Sequence, residues 1–157
     1  MTATKVIGES VKQTNRTFIK SYVNDYADAI TENYRRYHIN TLNGNLHGNY
    51  PEYAREQLDA IENGTANLMK FKVYTGKRYY KIVQQEFETW EKSRNYGKYA
   101  DGSVHCFVDK ETGDVYKPAS WSAPEKHIRF TFQNVDHLKF LLNPDNVTWT
   151  SGYLYMR

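Results

Sequence analysis

The twelve residues KFKVYTGKRYYK, positions 70–81, carry five cations, Lys70, Lys72, Lys77, Arg78 and Lys81, and no acid. Tyr74, Tyr79 and Tyr80 are interleaved with them. This mixture suits single-stranded nucleic acid, because cations hold phosphate while an aromatic face accepts any base. The same residues have a plainer use: lysine and arginine decorate the wet side of a hairpin and blunt its edge, while tyrosines pack inward. No recognised RNA-binding signature accompanies the patch.

A second group lies in KPASWSAPEKHIR, residues 117–129, where two prolines frame Trp121 and Lys117, Lys126, His127 and Arg129 surround it. Prolines restrict the backbone, so the segment is expected to be a surface loop of fixed shape. Its Trp either folds back as a lid or serves as the anchor of a contact. The two groups together define a candidate binding set: Lys70, Lys72, Lys77, Arg78, Tyr80, Lys117, Trp121, Lys126 and Arg129.

Other chemistry is thinly supported. Asp109, Glu111 and Asp114 lie close together, but their spacing is not that of an EF-hand, and acids in a hairpin turn commonly accept backbone N–H bonds. Cys106 follows His105, and neighbours on a regular strand point to opposite faces, so the two are not expected to pair as nucleophile and base. Cys106 reads as a small core residue. The histidines at 38, 47, 105, 127 and 137 show no metal-ligand spacing, and no phosphate-binding glycine loop or nucleophile elbow is present. No catalytic residue, metal or cofactor is assigned. An enzyme would have to bring His105 or His127 together with Asp109 or Asp114.

Elements that position these groups follow from periodicity. Ser10 and Gln13 form a capping-box pattern, and Phe18, Ile19, Tyr22, Val23, Tyr26, Ile30, Tyr34 and Tyr37 recur at three- and four-residue steps, predicting a helix over about 10–38. NTLNGNLHGNYP predicts a loop, and Pro51 opens a second helix to about 63, with Gly64 as its stop. Met69, Phe71 and Val73 then alternate with Lys70, Lys72 and Tyr74, and a partner strand follows the TGK turn. Residues 86–102 lack a clean period and leave a long excursion and a short helix both open. Val104–Val108 and Val115–Lys117 form a hairpin in which Gly113 takes the left-handed position. HIRFTFQ gives another strand, Val135–Leu142 a short helix, and Gly152–Met156 a terminal strand. The expectation is an α+β fold, one domain over 1–157, with two N-terminal helices (about 10–64) packed on one face of a five- to six-stranded antiparallel sheet (about 67–157).

A chain of 157 residues can build its own core, and 14 Tyr, 7 Phe and 3 Trp supply the area for it. The lone cysteine excludes an intramolecular disulfide framework and points to a reducing cytoplasm. MTATKVIGES lacks a basic head and apolar h-region, and no long apolar run offers a membrane span, so neither secretion nor membrane contact is expected. The Asn-x-Thr triplets at Asn15, Asn63 and Asn146 are then chance matches. Net charge of +3 is too small to argue for a polyanionic partner by itself. The distribution of charge carries that argument.

CFVDKETGDVYKPASWSAPEKHIR, with SGYLYMR at the end, resembles a group of uncharacterised small bacteriophage proteins from phages of marine and other environmental bacteria, which share a FVDK-TGDVYKPASW-AP segment. The resemblance covers roughly the last ninety residues and carries no known activity. It implies a phage protein made in the cytoplasm of an infected bacterium. The sequence thus favours a non-enzymatic accessory protein binding nucleic acid. The alternative is a protein–protein module, a host-factor inhibitor or minor virion component that self-associates through the Tyr-rich helix along Tyr26, Ile30 and Tyr37.

Overall fold

A computed structural model describes residues 2–155 of the chain, with side chains from Arg16 onward. Helix α1 runs Thr2–Leu46 and helix α2 Pro51–Glu62. A five-stranded sheet follows: β1 Lys70–Thr75, β2 Tyr79–Phe87, β3 Tyr99–Asp109, β4 Asp114–Tyr116 and β5 Phe130–Thr131. Every neighbouring pair is antiparallel and the strand order is the chain order, so the sheet is a meander. Helix α3, Val135–Leu141, and a terminal 3₁₀ turn, Gly152–Leu154, complete an α+β fold.

Strand alternation divides the sheet into two faces. The row Thr75, Tyr80, Val108, Val115 and Phe130, each residue paired across to the next, turns toward α1. There Tyr80, Ile82, Val108 and Val115 join Ile19, Val23, Tyr26 and Ile30 of α1 in one core with Phe132, Leu141 and Leu154. The next row, Tyr74, Lys81, Phe107 and Tyr116, points the other way and forms the open face. Helix α2 packs on α1, with Ala54 of α2 and Leu42 of α1 both buried.

Three expectations are corrected. Helix α1 extends through residues 39–46, expected as loop, because Leu42 is only 2% exposed and its burial outweighs the poor helix propensity of the surrounding Asn and Gly. The same helix begins at Thr2 and not at the expected Ser10; the side chains of Ser10 and Gln13 lie outside those described. Gly152–Leu154 is a 3₁₀ turn and not a strand: Ser151 takes a φ of 67° and redirects the chain so that both Tyr153 and Leu154 are buried. Residues 88–98, left open by the sequence, are a turn-rich loop closed by Glu88 N to Lys98 O at 2.9 Å and Gly97 N to Glu88 O at 3.0 Å.

Gly113 behaves as its position in the β3–β4 turn requires. Its φ is 75°, and a Cβ added there would stand 2.9 Å from Cβ of Phe132. Gly113→Ala combines backbone strain with this clash and is expected to cost about 2 kcal/mol. A shift of the urea midpoint at unchanged slope would register it; an unaltered midpoint would contradict the strained turn.

Candidate binding face

Cations and rings meet on the open face. Lys70 lies with its Nζ 3.9 Å from the Tyr99 ring centroid, Lys72 4.8 Å from Tyr74, and Lys81 4.0 Å from Trp121. The Arg78 guanidinium is 5.2 Å from the Tyr79 ring. Each pair places a positive charge against the negative face of a ring, and strand register sets Tyr74, Lys81 and Phe107 side by side across three strands. Between the β1–β2 turn and the Trp121 loop lies a cleft of about 460 Å³, lined by Tyr74, Lys77, Arg78, Tyr79, Lys81, Asp101, Phe107 and Trp121.

Phe107 forms a buried apolar floor and is flanked edge-on by Tyr79. Asp101 is the carboxylate in the lining. It accepts from Gln85 Nε2 at 2.8 Å and Tyr74 Oη at 2.8 Å, and these bonds, Gln85 first, hold its carboxyl below the usual range. The charge of Asp101 is thereby spent on fixing Tyr74 and Gln85.

The proline-framed loop is a rigid arch. Pro118 and Pro124 bridge across it, Ala119 N donates to Ala123 O at 2.9 Å, and Glu125 N donates to Lys117 O at 2.9 Å. Glu125 sits between Lys117 (3.5 Å) and Arg129 (3.7 Å), tying the feet of the arch together. At its tip Trp121 is 48% exposed, and its carbonyl accepts from Lys81 Nζ at 3.1 Å. The ring is therefore neither a core lid nor free: it is a half-exposed wall of the cleft.

The candidate set separates accordingly. Lys77, Arg78 and Trp121 converge on the cleft, and Lys70 and Lys72 extend the same face along β1. Lys126 is exposed on the loop. Lys117 and Arg129 are mostly buried and serve the arch through Glu125, with Lys117 also 4.0 Å from the Tyr155 ring. Tyr80 is a correction: alternation puts it in the core row with Val108, 5% exposed, where it cannot stack on a base. The sequence reading omitted Tyr79, Lys81 and Phe107 from the set, although the alternation that buries Tyr80 brings these three to the open side. Asp101 lay in the segment without a clear period and gave no such signal.

The groups considered for catalysis do not converge. His105 and Cys106 both face α1, because a bulge opposite Ile82 and Val83 inserts an extra residue in β3 and breaks the alternation expected there. They are 4% and 0% exposed. His105 Nε2 is 2.6 Å from Tyr153 Oη, which is 2.5 Å from Tyr26 Oη, and Tyr26 is hydrogen-bonded to Cys106. The backbone of Trp149 supplies the other partner of the imidazole. Burial pushes His105 down to about 3 and Cys106 up to about 12, so the chain of groups stays neutral at ordinary pH. Asp109 accepts the turn amides of Glu111 (2.8 Å) and Thr112 (3.1 Å), the role expected of an acid in a hairpin turn. His127 is exposed on the loop. Of the helix stripe considered for self-association, Tyr26 and Ile30 are fully buried and Tyr37 is 52% exposed. Among the described residues no helix is long and apolar enough to cross a membrane.

The model of a family of unknown function, DUF7717, matches residues 5–156, a span that takes in the long helix, the sheet and the proline-framed loop. No curated protein and no solved structure matches the chain.

Proposed function

We propose that this chain, which belongs to the DUF7717 family, binds single-stranded nucleic acid across the open face of its sheet, as a non-enzymatic phage accessory protein in the cytoplasm of an infected bacterium. One observation carries the reading: Lys77, Arg78 and Lys81 surround the same cleft as Tyr74, Tyr79, Phe107 and Trp121. Phosphates would be neutralised by the three cations at the cleft while a base stacks on the half-exposed ring of Trp121. Lys70 and Lys72 continue the cationic track along β1. Contacts of this kind read backbone and ring face, so little sequence preference is expected.

Fluorescence anisotropy with a labelled single-stranded 20-mer tests the reading. Three phosphate contacts predict a loss of about 20-fold in affinity between 50 and 200 mM salt, from a slope of roughly −0.7 per contact. The pair Lys77→Ala and Arg78→Ala is expected to weaken binding and to flatten that slope by about 1.4. Absence of binding at 50 mM salt would overturn the reading, as would binding indifferent to salt.

A further inference from the structure

Trp121 separates two clefts. On one side lies the cationic cleft with Lys77, Arg78 and Lys81; on the other is a cleft of about 400 Å³ lined by Val104, Pro118, Ala119, Trp121 and Tyr155. The second cleft has aromatic rings at two points of its lining, Trp121 and Tyr155, 48% and 55% exposed. A lysine lies over each ring, Lys81 at 4.0 Å from Trp121 and Lys117 at 4.0 Å from Tyr155. Both rings border this cleft and neither lysine does. The rest of the lining is apolar or small, with Ser103 and Ser120 as its side-chain hydroxyls.

From this arrangement we infer that the cleft between Trp121 and Tyr155 is a stacking pocket for one unpaired nucleobase, whose phosphate crosses the Trp121 wall to Lys81, Lys77 and Arg78. The inference rests on the nucleic-acid reading and deepens it by assigning base and phosphate to different sides of one residue. A base wedged there has left its own stack, so the pocket selects single strands over duplex. Each lysine raises the positive potential beside its ring, where a phosphodiester backbone passes. The arch supports the pocket: Glu125, paired with Lys117 and Arg129, fixes the loop that carries Pro118 and Trp121. Preorganisation of this kind spares the ordering cost that a mobile loop would incur on binding.

The test compares three probes of equal length on the full chain at 50 mM salt: oligo-dT, the same phosphodeoxyribose backbone without bases, and a duplex. Wild type is expected to bind oligo-dT about 10-fold more tightly than either of the others, the effect of stacking one base. In Trp121→Ala and in Tyr155→Ala the preference over the abasic strand should collapse to near unity, while the salt slope for oligo-dT stays as in wild type. Trp121→Phe, which keeps a ring, should retain most of the preference and guards against a loop that has simply lost its shape. Equal binding of oligo-dT and abasic strand by wild type would overturn the pocket and leave nucleic-acid binding standing. Failure of all three probes to bind would overturn both.

Discussion

Tyr153→Phe should lower stability by about 3 kcal/mol, although it removes one oxygen atom and no apolar surface. Direction in the buried hydrogen-bond chain explains the size. The imidazole of His105 is held through one nitrogen by the Trp149 backbone, whose effect is to favour the protonated ring, as a carbonyl acceptor does. That nitrogen therefore carries the proton, and Nε2 is left as an acceptor facing Tyr153 Oη at 2.6 Å. Tyr153 donates to Nε2 and so must accept from Tyr26 across 2.5 Å, with the Cys106 thiol as the further neighbour of the Tyr26 hydroxyl. Deleting the Tyr153 hydroxyl strands an acceptor and a donor together in a site closed to water, at about 1–3 kcal/mol for each group. Tyr26→Phe strands less, because Tyr153 keeps its acceptor and only a thiol loses its partner; about 1 kcal/mol is expected. By thermal unfolding, Tyr153→Phe should lie roughly 6–12 °C below wild type, with Tyr26→Phe well above it. Equal losses in the two variants would refute the assigned direction.

The chain of four groups also marks where sequence reasoning ran out. Apolar spacing revealed α1, α2 and both hairpins, because burial against one partner imposes a period of 3.6 or 2 that side-chain type records directly. Turn chemistry located Gly113. A bulge leaves no such mark: VHCFV alternates like any strand, and the extra residue that turns His105 and Cys106 to the same side depends on how β2 pairs with it. The end of α1 was hidden for a related reason. Local composition at NTLNGNL argues for a loop, and only packing against another element, which buries Leu42, decides for helix. In the binding face, residue types were legible but not their partners. The sequence set Lys117 and Arg129 beside Trp121 as equals, whereas Glu125 draws both into the arch and leaves the cleft to Lys77, Arg78 and Lys81. Tyr80 and Tyr79 are adjacent and chemically alike, yet the pleat sends one into the core and the other to the cleft.

Acid should unfold this protein through His105 well before most carboxylates titrate. The ring lies 4% exposed between Phe71 and Tyr153, and burial, opposed only in part by the Trp149 backbone, brings its pKa from 6.5 to about 3. Its hydrogen-bonded neighbours, Tyr153 and beyond it Tyr26 and Cys106, are all held neutral, so no opposite charge offsets a proton on the ring. A base whose folded pKa is lowered binds protons more readily when unfolded. Stability is therefore full above pH 6.5 and declines as pH falls from 6.5 toward 3, by about 1.4 kcal/mol for each unit. At pH 4.5 the deficit relative to pH 7.5 is about 3 kcal/mol from this one residue. Urea unfolding at half-unit steps between pH 7.5 and 4.5 should trace that slope. His105→Gln can still donate to Trp149 and accept from Tyr153 but has no proton to gain; it should begin less stable at pH 7.5 and lose little further on acidification. A His105→Gln protein with the same pH slope as wild type would place the acid sensitivity in other groups.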